Sequence, residues 1–439
     1  MRRSLKNLVC MLILGISVLA SAEAYSQDAG TSMAKSTLPK DSHLAIIGDS
    51  ITEQKMYSKY METYLLACAG RKDISVFQFG WGGETAGGFA GRLENDLSPF
   101  KPTAATLCYG MNDGGYRPFN DSVGSSYEKA MRSVLEKLKA VGVSQIVAGS
   151  PGAVDTKYFQ KPPAVFGDKS SADGYNDSLR HLRDIGEKLA GELKTSFADV
   201  HTPLVEAMAK AKKAKGDEYD VCGRDGVHPG ANGHLIMAYA FLKALGCDGN
   251  IAEITVDMKG DATASEGHKV LSSSNGKVEI ESMKYPFCFD ADPDKSGSNR
   301  SILPYIPFNQ DLNRFTLKVK NLSSAKAKVT WGEETKEFTK EQLESGINLA
   351  AEFSKTPFDE NFSKIIQAVG AKQNFETQMI KGVITQFRSL NEYSKDDAEL
   401  KGAFDTLKDK LSKIQAKKDA DLKALIAPVK YSITIVPSA

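Results

Sequence analysis

Between residues 43 and about 245, short apolar runs alternate with stretches whose apolar residues recur every three to four positions. The runs Leu44–Ile47, Ile74–Phe79, Ala104–Tyr109, Gln145–Gly149 and Phe197–Val200 predict strands. Ser125–Val141 places Met131, Val134, Leu135 and Leu138 on one helical face, and Tyr175–Leu193 does the same with Leu179, Leu182, Ile185, Leu189 and Leu193. Pro229-Gly230 opens a last helix carrying Leu235, Ile236, Tyr239, Leu242 and Leu245. Strands and helices that alternate over short connections predict an α/β domain: a parallel sheet covered by helices on both faces, three layers in all.

After Gly246 the period changes. Asn275-Gly276 between Lys269–Leu271 and Val278–Ile280 predicts a hairpin. Phe315, Leu317 and Val319 alternate with polar residues, as do Val329 and Trp331. Thr339 with Gln342 reads as a capping box that starts a helical stretch. Phe362, Ile365, Ile366 and Val369 lead it, followed by Met379, Ile380, Val383, Ile384 and Phe387. Leu400, Phe404, Leu407, Leu411 and Ile414 keep a 4-3 spacing that suits pairing as a helical hairpin. Pro428 ends it, and Tyr431–Val436 returns to strand. The expected organisation is a linker over 25–42, an α/β domain over 43–248 and a β-sandwich-like domain over 249–439, with a helical insertion at about 339–428.

Length and charge change this picture little. A chain of 439 residues exceeds one comfortable core. With 56 basic against 55 acidic residues, no excess charge recruits nucleic acid or an anionic membrane surface. The N-terminus adds something new. Arg2, Arg3 and Lys6 precede an apolar run from Leu8 to Ala20, and small residues at 20–24 offer cleavage after Ala22 or Ala24. The run is short for a membrane span of about 20 residues. Residues 1–24 therefore read as a signal peptide, with a secreted or periplasmic product and no stable membrane insertion. Cys68, Cys108, Cys222, Cys247 and Cys288 remain after cleavage, too few for a disulfide framework, with Cys222–Cys247 the one pairing considered. No zinc signature is present, and neither a cofactor nor a metal is expected.

The candidate chemistry lies where the strands stop. "GDSIT" ends the first strand with Asp49 and Ser50, residue types that suit a tight turn or an exposed nucleophile equally. "FGWGGETAGG" follows the second strand and "YGMNDGG" the third, the latter offering the Asn112 amide as a donor. "GRDGVHPGANGH" sets Asp225 three residues before His228, so that the carboxylate can hold one ring nitrogen and leave the other free. Each stretch alone also reads as a solvated loop, and Asp225, His228 and His234 form the nearest thing to a metal set. Taken jointly, four strand-end loops converge on one crevice in a doubly wound sheet.

In family order, "GDSIT", "GGET", "GMND" and "DGVH" resemble the four blocks of the SGNH (GDSL-type) hydrolases. The resemblance covers roughly residues 43–245 and implies the flavodoxin-like fold of that family. It implies Ser50 as nucleophile, His228 as base and then acid, and Asp225 as its orienting partner. The N–H groups of Ser50 and Gly83 and the Asn112 amide would form the oxyanion hole. Glu84 departs from the family, which often has Asp there, and no Asn leads into the second block. The region after Gly246 also looks like the tails of some secreted bacterial members.

The expected activity is hydrolysis of small acyl esters, acetyl foremost, through an acyl-enzyme. The expected partner is an acylated small molecule or polysaccharide. Carbohydrate is suggested by export, the accessory β domain and loop aromatics Trp81, Tyr109 and Tyr116, which suit core packing as well. A lipase or thioesterase on the same scaffold, and a catalytically silent carbohydrate-binding protein, are the alternatives.

Overall fold

Leu44 and Ile46 point to one side of the first strand, Ala45 and Ile47 to the other, and all four are fully buried. A strand buried on both faces belongs inside a sheet covered on both sides. The computed structural model, which describes residues 38–167 and 169–438, has this arrangement. The expected signal peptide 1–24 and most of the linker 25–42 lie outside the described residues.

Strands β1 (His43–Gly48), β2 (Ser75–Gly80), β3 (Ala104–Cys108), β4 (Gln145–Gly149) and β5 (Ser196–Ala198) form one parallel sheet in the order β2-β1-β3-β4-β5. The helices Ala86–Leu97, Asp121–Ala140 and Ser171–Glu192 cover the face that carries Ala45 and Ile47. Tyr57–Thr63, His201–Lys215 and Ala231–Ala244 cover the other. The strand expected at Phe197–Val200 is shorter and starts earlier. Val200 and His201 give their N–H groups to Ser150 Oγ at 2.9 and 3.0 Å, which ends the ladder there.

The C-terminal region is β-rich with helices. Its strands are β6 (Asn250–Asp257), β7 (Ala262–Ala264), β8 (His268–Ser274), β9 (Lys277–Ser282), β10 (Arg314–Lys320), β11 (Lys326–Trp331), β12 (Glu334–Thr339), β13 (Ile347–Asn348) and β14 (Val429–Ser438). They make two sheets, β13-β10-β6-β7 and β12-β11-β14-β9-β8. Phe315 from the first meets Trp331 and Tyr431 from the second at 5.4 and 6.3 Å. The β8–β9 turn has Asn275 and Gly276 both at positive φ, as a two-residue hairpin of this composition requires. Thr339 and Gln342 form the capping box. One apolar core runs continuously from the Leu44 face of the parallel sheet into these sheets.

The helical segment between β13 and β14 packs elsewhere. Its helix Asp359–Met379 lies along β2, the edge strand of the parallel sheet. Lys372 Nζ donates to the Val76 carbonyl at 2.6 Å, and Glu376 Oε2 accepts from Gln78 N–H at 3.1 Å. Side chains thus satisfy an open strand edge. The second arm, Ala398–Ala424, pairs with the first, with Phe404 against Phe387 at 5.1 Å and Leu411 packed on the core, but Leu400, Phe404, Leu407 and Leu411 are only half-buried and Ile414 is exposed. Gln415, Asp419 and Leu422 are the buried positions instead. The reason is the neighbour, since this arm meets charged groups of the first, with Gln415 donating to Glu376 Oε1 at 3.0 Å.

Cys68, Cys108, Cys222, Cys247 and Cys288 are all free, so the Cys222–Cys247 bridge is not formed.

Candidate active site

β1, β2 and β3 deliver three loops to one edge of the sheet, and a fourth comes from the segment before the helix Ala231–Ala244. Asp49 caps the short helix Ser50–Glu53, its Oδ1 accepting from Ile51 N–H at 3.0 Å. Ser50 is thereby the first helical residue, half-buried, with its own N–H donating to nothing among the described residues. Asp49 itself is enclosed. Burial pushes its carboxyl up to about 7 despite the Ile51 bond, and Asp113 and Glu84 add to the rise.

The loop after β2 folds back as a turn closed by Glu84 N–H on the Trp81 carbonyl at 3.2 Å. Gly83 sits at its third position with φ +72, a backbone that favours glycine. The turn leaves Gly83 N–H without an acceptor among the described residues. Below it, Glu84 holds Arg92 through both oxygens at 2.7 and 2.8 Å and accepts from Tyr109 Oη at 2.7 Å. Arg92 also binds Asp96 at 2.7 Å. The carboxylate of Glu84 is therefore spent on a buried cluster, which accounts for the longer side chain at this position.

Asn112, in the loop after β3, is fixed at both ends of its amide. Nδ2 donates to the Glu84 carbonyl at 3.0 Å, and Oδ1 accepts from Tyr116 Oη at 3.0 Å. Its second amide proton has no acceptor among the described residues. Asp113 ties the same loop down, accepting from Ala86 and Gly110 N–H at 3.0 Å each.

In the fourth loop, Asp225 Oδ1 accepts from the N–H groups of Val227 and His228, both at 2.9 Å. Its Oδ2 lies 2.6 Å from His228 Nδ1, and His228 Nε2 lies 2.8 Å from Ser50 Oγ. The consistent tautomer carries its proton on Nδ1, leaving Nε2 to accept from the serine hydroxyl. Burial would raise the Asp225 carboxyl, but the two N–H groups and the His228 ring hold it below its ordinary value. It is thus the anion that fixes the ring. A serine, a histidine and an aspartate in hydrogen-bonded series, beside two free N–H groups and an amide, can attack a carbonyl and hold the charge that develops.

Residues 46–236 match the model of the GDSL-like Lipase/Acylhydrolase family. This part of the chain is a GDSL-like lipase/acylhydrolase domain. The protein is accordingly an ester-bond hydrolase. Among solved structures, a gut microbial diltiazem-metabolizing enzyme superimposes at a TM-score of 0.69 with 21% identity, over 92% of this chain and 100% of that one. The shared fold therefore includes the C-terminal region. An acetylxylan esterase from Geobacillus stearothermophilus matches 48% of this chain and 97% of its own at 24% identity and a TM-score of 0.38. A search of curated proteins finds no match.

The structure joins Ser50, His228 and Asp225 in one hydrogen-bonded series and, on neighbouring strand-end loops, ties Asn112 to the Glu84 carbonyl beside Gly83. It keeps His234 apart. That ring is fully buried, accepts from Tyr57 N–H at 3.3 Å through Nδ1, and meets Gln54 Oε1 at 2.9 Å through Nε2. Burial pushes its pKa down to about 3, so it is a neutral core histidine. Among the described residues, no group of three or more His, Cys, Asp and Glu is placed to hold a metal ion.

Of the loop aromatics, Tyr109 is core, stacked on Phe89 and bonded to Glu84. Tyr116 stacks on Tyr175 at 5.2 Å and orients Asn112. Trp81 is half-buried, with Arg92 4.8 Å and Lys381 4.5 Å from its ring centre. Sequence reasoning missed the roles of Asp49, Tyr116 and Arg92. The cap at Asp49 was legible in its position before a helix. The others depend on which loops meet, which spacing does not carry.

Proposed function

We propose that this GDSL-type hydrolase removes small acyl groups, acetyl foremost, from hydroxyls of carbohydrate, by way of an acyl-enzyme on Ser50. The observation that carries the reading is the Ser50–His228–Asp225 series next to unspent donors on Ser50, Gly83 and Asn112. Ser50 Oγ attacks the ester carbonyl carbon while His228 Nε2 takes its proton. The carbonyl oxygen becomes an oxyanion held by the two N–H groups and the Asn112 amide. On collapse the C–O bond to the sugar breaks, and His228 returns the proton to the leaving alcohol. A water then attacks the acyl-Ser50 ester, again deprotonated at His228, releasing the acid and restoring the serine.

The finer choice of substrate is supported by the openness of the site. Gly82 and Gly83 are exposed, and the His228 and Asp225 side chains keep 35% and 55% of their surface in solvent. A long acyl chain gains about 0.8 kcal/mol for each methylene it buries, and an open polar rim offers little of that. A bulky, hydroxyl-bearing leaving group is accommodated without loss. Export to the periplasm or beyond is part of the proposal and is supported by the N-terminal segment of the sequence. Protein sequencing of the mature form, recovered from periplasm or medium, tests it: a start at Glu23 or Tyr25 is expected, and an intact Met1 overturns it.

Two measurements test the activity. A fluorophosphonate probe is expected to label Ser50 at neutral pH, and no labelling of folded protein would turn the reading toward a silent binding protein. Acetate release from acetylated xylan is expected to exceed turnover of long-chain acyl esters. The reverse preference would replace the carbohydrate reading with a lipase.

A further inference from the structure

Lys381 belongs to the helical insertion, far along the chain from the catalytic loops, yet it lies at their rim. The helix Asp359–Met379 widens into a π turn over Ile380–Thr385, and Lys381 projects from it. Its Nζ lies 2.5 Å from Glu53 Oε1. Glu53 ends the short helix that Ser50 begins. The other Glu53 oxygen accepts the N–H of Gly82 at 2.5 Å, one residue before the oxyanion donor Gly83. A Cβ on Gly82 would stand 2.8 Å from that oxygen, so a side chain there would push the carboxylate back from the turn. Lys381 also covers Trp81, the residue that starts the same turn.

A second line of contact reaches the other donor. Thr385 Oγ1 donates to Asp96 Oδ2 at 2.8 Å, and the same oxygen holds Arg92. Arg92 clamps Glu84, whose carbonyl accepts from Asn112. Both the Gly83 turn and the Asn112 amide are therefore braced from one π turn of the insertion. We infer that the helical insertion sets the geometry of the oxyanion hole, with Lys381 a positioning residue that acts through Glu53 on the Gly82–Gly83 turn.

The inference rests on the esterase reading of the Ser50 site and adds a role for the C-terminal region. Two adjacent exposed glycines have a large conformational space of their own. Oxyanion donors work only within about 0.5 Å of their productive position. Holding the turn therefore affects the transition state, where the charge develops, more than ground-state binding. The competing view is an ordinary ion pair, with Lys381 and Glu53 side chains 30% and 27% exposed, that merely fastens the insertion and contributes little.

Steady-state kinetics on an acetyl ester with the full chain separate the two. Lys381→Met is expected to lower kcat about five- to thirtyfold, part of the 10²–10³ that one lost donor costs, with KM unchanged. Lys381→Arg is expected to restore most of the loss. In a Glu53→Ala background, Lys381→Met is expected to add nothing further. Glu53→Gln keeps an acceptor for Gly82 N–H and loses the ion pair, so it should repeat the Lys381→Met loss even if that variant melts early. Wild-type kcat in folded Lys381→Met, or a loss that adds independently to Glu53→Ala, overturns the inference. Failure of Ser50 to label in the wild-type protein is a different result, because it removes the esterase reading itself.

Discussion

Two polar clusters border the parallel sheet, one buried beside its edge strand β2 and one open to solvent at the strand ends, and they are built to opposite purposes. Beside the middle of β2, Lys372 Nζ meets Glu62 and Glu376 at 2.8 Å each and the Val76 carbonyl at 2.6 Å. The remaining carboxylate oxygens take Gln373 Nε2 and Gln78 N–H. Every donor and acceptor of these three charged groups is used. Burial works against the Lys372 charge, but Glu376 and Glu62 hold its pKa above the ordinary lysine range, while burial pushes the Glu62 carboxyl up. Where the strands end, the Ser50 cluster leaves two N–H groups and one amide proton without an acceptor among the described residues. A closed set of partners resists change and holds two regions together. An open set keeps a vacancy in its bonding for the atom that gains charge during reaction.

The largest expected effect comes from breaking the closed cluster. Lys372→Met strands two buried carboxylates and should cost about 3–5 kcal/mol of stability, as such single-partner removals do. Denaturant unfolding measures it. A change below about 1 kcal/mol would mean that the cluster is dispensable and the contrast false. Breaking the open cluster should instead leave stability nearly alone. Asn112→Ala is expected to lower kcat about 10²–10³-fold on an acetyl ester, with KM and melting temperature little changed. An unchanged kcat in folded protein would remove Asn112 from the oxyanion hole.

The open cluster was the more legible of the two in the sequence. Ser50, Asn112, Asp225 and His228 each sit at a strand end or in a loop marked by glycine, where spacing and residue type announce a turn with chemistry. The parallel sheet was equally plain, since Leu44–Ile47 and Gln145–Gly149 are short apolar runs bounded by polar loops. The closed cluster was invisible. Lys372, Gln373 and Glu376 look like a solvated helical face, and the apolar stripe from Leu400 to Ile414 does not reveal that Gln415 and Asp419 are the buried positions beside it. A buried charge is recognisable only from its partners, here Glu62 and the edge of β2 some 300 residues away. The same holds for Lys381 and Glu53. Local pattern reports what a residue prefers, whereas these residues are placed by tertiary contacts that override the preference.

A smaller effect sharpens the comparison through pH. Asp49 is a carboxylate of the open cluster, and it is raised from 3.8 to about 7 by burial. The folded state therefore holds its proton more tightly than the unfolded chain. Its contribution to stability is complete below about pH 4 and is lost as the pH rises toward 7. Asp113, raised to about 6 by burial, acts in the same direction. Asp49→Asn keeps an oxygen for Ile51 N–H and removes the charge. The variant should match wild type at pH 4 and exceed it at pH 8 by about 1–2 kcal/mol. Equal stabilities at both pH values would show that Asp49 is ionised without cost and that the site is wetter than its burial implies.

Tyr116→Phe carries the smallest expected effect and asks how the open cluster is held open. The Tyr116 hydroxyl donates to Asn112 Oδ1, while the Glu84 carbonyl takes one Nδ2 proton. Together they fix which end of the amide faces which neighbour. Phe retains the ring that stacks on Tyr175 and Phe159, so packing is preserved. What disappears is one neutral hydrogen bond, worth about 0.5–1.5 kcal/mol, or roughly two- to twelvefold in rate if it acts wholly on the transition state. The Glu84 contact still favours the working orientation, which places the expected loss in kcat near the lower end, at about threefold. KM should not move, because the ester carbonyl before attack makes little demand on the amide. The combined variant Tyr116→Phe, Asn112→Ala decides between routes. If Tyr116 acts only through Asn112, the pair loses no more than Asn112→Ala alone. A multiplicative loss would place Tyr116 in direct contact with substrate, and the oxyanion hole would then be oriented from the Glu84 side alone.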